Sequence, residues 1–99
     1  MLGLALSARR DLLEATRWIA KDNRAAAEGL RVGVARAAII TGKHPYIGIL
    51  CPELAEFPFR FLPLTGFPYL VVYNPDTMPP LIVRVVHDAR DVPAALRDL

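Results

Sequence analysis

Leu81-Ile-Val-Arg-Val-Val-His-Asp-Ala-Arg-Asp-Val92 is the segment from which the other elements can be placed. Apart from Arg84, its first seven residues are aliphatic or imidazole, and Val83, Val85 and Val86 are β-branched. That composition favours a pleated, half-buried strand over a helix. Pro79 and Pro80 stop any helix from running into it, because proline lacks the N–H a helix needs. After His87 the pattern breaks into Asp88, Arg90 and Asp91, charges that suit a strand end and a turn. The segment therefore reads as the last central strand of a sheet, with its chemistry-capable side chains gathered at its exit. Strict alternation would put Ile82, Arg84 and Val86 on one face and Leu81, Val83, Val85 and His87 on the other.

Working backwards, Asn74-Pro-Asp-Thr-Met-Pro-Pro80 is a turn and Tyr69–Tyr73 a second apolar strand. Phe57–Leu62 alternates around Arg60, and Thr65-Gly66 supplies the turn between these two strands. Three successive strands joined by short turns make an antiparallel meander. The stretch from Lys43 to Glu56 reads as a loop, with Pro45, Gly48 and Pro52 as breakers.

The front of the chain is helical. Leu2–Leu6 is short and apolar, which predicts a first strand, and Ser7 is a good N-cap for a helix over Ala8–Lys21. At 100° per residue, Ala8, Leu12, Ala15, Thr16 and Ile19 fall within one stripe, with Arg10, Glu14, Arg17 and Lys21 opposite. Trp18, at the stripe's edge, either packs on a neighbouring helix or anchors a bound partner. Asp22-Asn-Arg24 is a tight connection, so Ala25–Thr41 forms the second arm of an antiparallel helical hairpin ended by Gly42. Its Ala26, Leu30, Gly33, Val34 and Ala37 share one face, while Val32 and Ile39 lie off it. Gly29 and Gly33 each cost the helix roughly 1 kcal/mol relative to Ala, a cost that close approach of the first helix would explain. The hairpin has one face of the sheet to cover, which leaves the other open. Pro93–Leu99 is at best a short terminal helix.

The fold class that follows is α+β: an N-terminal strand, a helical hairpin packed on an antiparallel sheet, a three-strand C-terminal meander and a short C-terminal helix, all in one domain over residues 1–99. The hydrophobic fraction of 54% and mean hydropathy of +0.30 are high for a chain this small. A domain of this length buries only about 60–65% of its unfolded surface. The surplus is therefore either packed between elements or covered by a partner. No apolar run approaches the roughly 20 residues that span a bilayer, and Arg9, Arg10 and Asp11 directly follow the apolar start, unlike a signal peptide.

Ten of the twelve basic residues are Arg, yet the net charge is only +2. Arg suits interfaces and bidentate pairing, although a GC-rich genome would produce the same bias. There is no Lys/Arg run of the kind that forms a nucleic-acid tail. The single cysteine, Cys51, excludes an intramolecular disulfide and a cysteine-based zinc site, and it fits a reducing cytosol. His44 has no second ligand at metal-binding spacing and reads as a solvated loop residue. No cofactor or metal is expected.

The order of elements, together with Phe59-Arg-Phe-Leu-Pro63, Tyr69-Leu-Val-Val-Tyr73 and Ile82-Val-Arg-Val-Val-His-Asp-Ala-Arg-Asp91, resembles the RelE/ParE toxins of bacterial type II toxin–antitoxin systems. The I-x-R-V-x-H-x-x-R-D ending is its most specific part. In the front hairpin, Asp11-Leu12, Trp18-Ile19 and Asp22-Asn23 before an Ala-rich helix agree with it. The resemblance implies a cytoplasmic, growth-arresting toxin of the plasmid-stabilisation kind, silenced by an antitoxin whose disordered tail folds over its apolar surface. Trp18, Val32, Ile39, Ile82 and Val86 are the expected antitoxin-binding residues.

Within the family, RelE-type members cut mRNA on the ribosome with basic side chains and a C-terminal aromatic. Their third-strand motif reads G-Y-R-L-V-Y, whereas Pro68-Tyr-Leu-Val-Val-Tyr73 has Leu70 in place of the Arg. The tail Pro93–Leu99 lacks an aromatic, and a basic loop before the strands is missing. The R-V-x-H-x-x-R-D ending is similar to ParE-type members, which poison DNA gyrase by contact without a catalytic set. The resemblance therefore implies a gyrase inhibitor with a ParD-like antitoxin and no sequence-specific DNA binding of its own. Arg60, Arg84, His87 and Arg90 are the expected target-contact residues; alternatively Arg84 and Arg90 form structural ion pairs and His87 is a core histidine. The alternatives to gyrase inhibition are a ribosome-dependent mRNA endonuclease and a degenerate member that only binds antitoxin.

Overall fold

A computed structural model describes residues 3–53 and 55–87. Two helices lead into a sheet: α1 spans Leu6–Ala20, α2 spans Arg24–Lys43, and β1 (Ile49–Leu50), β2 (Arg60–Pro63), β3 (Tyr69–Asn74) and β4 (Leu81–His87) follow. The sheet is antiparallel with the strands in chain order. The α+β class and the helical hairpin are as expected, while the meander runs through four strands and not three, because β1 pairs with β2. The expected terminal helix over Pro93–Leu99 lies outside the described residues.

Each helix buries most of its predicted face, with Ile19 only partly buried in α1 and Ala27 buried in place of Ala26 in α2. In α1 the buried residues are Ala8, Leu12, Ala15 and Thr16. In α2 they are Ala27, Leu30, Val34, Ala37 and Thr41. The buried hydroxyls of Thr16 and Thr41 are satisfied by donating to carbonyls one turn back, at Leu12 and Ala37. Asn23 starts α2 by accepting the Ala26 N–H at 3.0 Å, the N-cap geometry its residue type favours. Ser7 does not cap α1, whose N-cap is Ala5. Its hydroxyl instead donates to the Val83 carbonyl at 2.6 Å.

The expected first strand is reduced to one parallel bridge between Leu4 and Ile82, because the chain is already helical at Leu6. That bridge still has a consequence. β4 is an edge strand, and unpaired edges template unwanted pairing. The Ile82 N–H donates to the Gly3 carbonyl, the Ala5 N–H to the Ile82 carbonyl, Ser7 to the Val83 carbonyl, and the Val85 N–H to Asp11. The start of the chain therefore seals this edge from Ile82 to Val85.

Strict alternation along β4 fails at one point. The pairing with β3 skips Val83: Val72 faces Arg84, and the next residue, Tyr73, faces Ile82. This bulge puts an extra residue into β4 and breaks the period of two. As a result Ile82 and Val85 join the main core with Leu4, Leu12, Leu30, Val34, Val71 and Tyr73. Val83 and Val86 instead join a second cluster with Ala55, Phe61 and Val72. The sheet's other face is consequently not open. The segment between β1 and β2 contributes Cys51, Ala55 and Phe59 to it, so chain expected to be a loop does covering work.

The two helix glycines also differ from expectation. A Cβ at Gly29 would meet the Phe67 ring at 3.0 Å, so the close neighbour is the β2–β3 turn and not α1. A Cβ at Gly33 would meet nothing within 4 Å.

Candidate functional site

Of the residues expected to contact a target, the described ones, Arg60, Arg84 and His87, are held by different partners. Arg84 is held by α1: its Nε donates to Asp11 Oδ2 at 2.7 Å and its Nη2 to Oδ1 at 3.0 Å. Both side chains are largely buried, at 20% and 15% exposure, so this bidentate pair is screened far less than a surface one. Arg60 is half-buried at the start of β2, and its Nη1 donates to the carbonyls of Gly48 at 2.7 Å and Tyr46 at 3.3 Å. Its guanidinium lies 5.1 Å from the centroid of the Tyr46 ring, within cation–π range. His87 stands edge-on to Tyr69, with ring centroids 5.3 Å apart. Arg60 pairs with Tyr73 and His87 with Tyr69, so they flank β3 from opposite sides and are offset along it by four positions, roughly 13 Å at strand rise. Arg90 lies outside the described residues.

The expected antitoxin-binding residues divide in two. Trp18 is 60% exposed on α1, with the Lys21 ammonium 5.0 Å from its ring centroid, and it is not core. Val32 and Ile39 are exposed on α2. Ile82 and Val86 are fully buried, in the main core and the second cluster respectively. Neither is exposed, because β4's edge and the sheet's second face are both covered.

Further apolar side chains are exposed where the sequence reads as loop, Tyr46, Ile47, Ile49 and Leu50, with Ile40 at the end of α2 and Phe57, which is expected in a strand but precedes β2. β1 forms here because the loop before it is pinned from inside. The Tyr73 hydroxyl is buried, donates to the Pro45 carbonyl at 2.8 Å and accepts the Gly48 N–H at 2.8 Å. Gly48 is required at this approach, since a Cβ there would sit 2.7 Å from the Tyr73 ring and 2.9 Å from the Phe61 carbonyl. β1 is the sheet's other edge, and both of its side chains are exposed.

Between α2 and β2 runs an apolar groove of about 250 Å³ lined by Gly33, Arg36, Ala37, Ile40, Ile47 and the 62–65 segment. The exposed charges of α2 are Arg24, Glu28, Arg31, Arg36 and Lys43, four cations to one anion. Glu28 lies 3.6 Å from Arg31. The arrangement can bind an apolar segment and attract carboxylates beside it.

Cys51 donates to the Glu53 carboxylate at 3.1 Å, and this bond holds the Glu53 carboxyl below its usual range. His44 is exposed. Among the described residues no helix is long and apolar enough to cross a membrane.

A search among curated proteins finds no matching relative. The family model for the ParE toxin of the type II toxin–antitoxin system parDE matches residues 3–92, nearly the whole chain. The helical hairpin, the meander and the β4 segment all fall inside that match, and the chain belongs to the ParE toxin family of type II toxin–antitoxin systems.

Proposed function

We propose that this toxin acts in the cytoplasm by binding DNA gyrase, and that a cognate ParD-like antitoxin silences it by covering its apolar surface. The observation that carries this reading is the contrast between two kinds of side chain. Arg84 and Arg60 are engaged inside the fold, by Asp11 and by backbone carbonyls. Large aliphatic and aromatic side chains are exposed on α2, on the 46–50 segment and at Phe57, beside the exposed cations of α2. RNA cleavage needs groups placed to move protons and to stabilise developing phosphate charge. A protein that inhibits by contact needs exposed anchors of this apolar kind.

The antitoxin reading rests on the same surface. An ordering segment gains most where it can bury apolar area and add to an open strand edge. β1 offers such an edge, whereas β4 is sealed as far as Val85.

The test is to incubate purified, antitoxin-free toxin with gyrase and supercoiled plasmid, then add detergent and protease. Linear plasmid, released from trapped cleavage complexes, is the expected result. Cutting of ribosome-bound mRNA with no effect on gyrase would overturn the proposal in favour of the endonuclease reading.

A further inference from the structure

A glycine in the middle of a helix needs a reason, because Ala there would be more stable. Gly29 has one in the Phe67 ring, 3.0 Å from where its Cβ would lie. Gly33, one turn later, has none within the described residues: a Cβ there would meet no atom within 4 Å. Its bare backbone instead forms part of the groove floor, flanked by Ala37, Ile40, Ile47 and Leu62. The groove is mainly apolar, and Arg36 is among the residues that line it.

From this we infer that the space over Gly33 is an anchor pocket for the antitoxin, receiving one large aliphatic or aromatic side chain from a segment that carries carboxylates beside it. The apolar lining selects the anchor. The excess of cations along α2, with Arg36 at the groove itself, selects the acidic flank. The missing methyl at Gly33 is the depth of the pocket. This assignment rests on the antitoxin reading given above, and it adds the position, the size and the charge of what is bound.

The helix propensity of Gly33 makes the proposal unusually separable from a folding role. The test is isothermal titration of the full-length co-encoded antitoxin into wild-type toxin and into the Gly33→Ala, Gly33→Leu, Gly42→Leu and Arg36→Glu variants, with melting temperatures in parallel. Gly42 is the matched control, since a Cβ there also meets nothing within 4 Å but the residue lies outside the groove lining. Gly33→Ala and Gly33→Leu should melt at or above the wild-type temperature. Gly33→Leu should nevertheless weaken antitoxin binding roughly tenfold or more, the effect of losing one buried anchor. Arg36→Glu should weaken binding and flatten its dependence on salt, because an attractive charge pair has become repulsive. Gly42→Leu should bind as wild type does.

Unchanged affinity in Gly33→Leu would overturn the assignment while leaving the antitoxin reading intact. Equal losses at positions 33 and 42 would also overturn it, as a general effect of bulk on α2. A lowered melting temperature in Gly33→Leu would show that the chain itself uses the space. An antitoxin that fails to bind the wild-type toxin would remove both this assignment and the reading beneath it.

Discussion

The carboxylate of Asp11 joins the second turn of α1 to the centre of β4 through Arg84, a residue 73 positions away. One oxygen, Oδ2, accepts from both the Arg84 side chain at 2.7 Å and the Val85 N–H at 3.0 Å. The pair thus performs two tasks at once, neutralising a largely buried guanidinium and satisfying an edge-strand donor. A motif arginine that resembles a target-contact residue is in this chain part of the scaffold.

Removing Asp11 should therefore be costly. Asp11→Ala leaves Arg84 without its carboxylate and the Val85 N–H without its acceptor, and should destabilise the fold by about 3 kcal/mol. Urea denaturation measures it. Asp11→Ala combined with Arg84→Ala should cost less than the two single losses added together, since both single changes remove the same ion pair.

Tyr73 is the internal post on which the 44–50 segment hangs. Tyr73→Phe removes the hydroxyl shared by the Pro45 carbonyl and the Gly48 N–H, at a cost of about 2 kcal/mol. The amide of Gly48 should exchange with solvent markedly faster. Gly48→Ala should disturb the same segment, because its Cβ would overlap both a ring and a backbone carbonyl.

Trp18 separates binding from stability in the other direction. Its ring is mostly exposed, so Trp18→Ala should change folding stability by no more than about 0.5 kcal/mol. If the ring anchors the antitoxin, affinity measured by calorimetry should fall. A lowered melting temperature with unchanged affinity would instead make it a packing residue.

Leu70 stands where the nuclease motif carries an arginine. It is half-buried against the second cluster, beside Phe61 and Val72. Leu70→Arg should not produce RNA cleavage, because a single cation does not supply the proton-transfer groups the reaction needs. Assay on ribosome-bound mRNA checks this, and measurable cutting would contradict it.

What was legible in the sequence is what periodicity governs. The buried stripe of α1, the Asn23 junction and strands over 69–74 and 81–87 all follow from local patterns of apolar and breaker residues. Features made by distant contacts were not. β1 is two residues long and exists because Tyr73 and Arg60 hold the chain leading to it. The bulge at Val83 has no composition signal, yet it decides which face Ile82 and Val86 join. The burial of both residues depends on segments remote in sequence, so local pattern could not separate them from Val32 and Ile39, which are exposed. Arg84 and Asp11 show the same limit, since nothing local links them.

We propose that this toxin stops gyrase by contact and that the antitoxin releases it. The most direct measurement is gyrase supercoiling of relaxed plasmid, with the purified toxin added alone and after preincubation with its antitoxin. Inhibition by the toxin alone, with supercoiling restored by the antitoxin, is the predicted result. Full supercoiling at high toxin excess would contradict it.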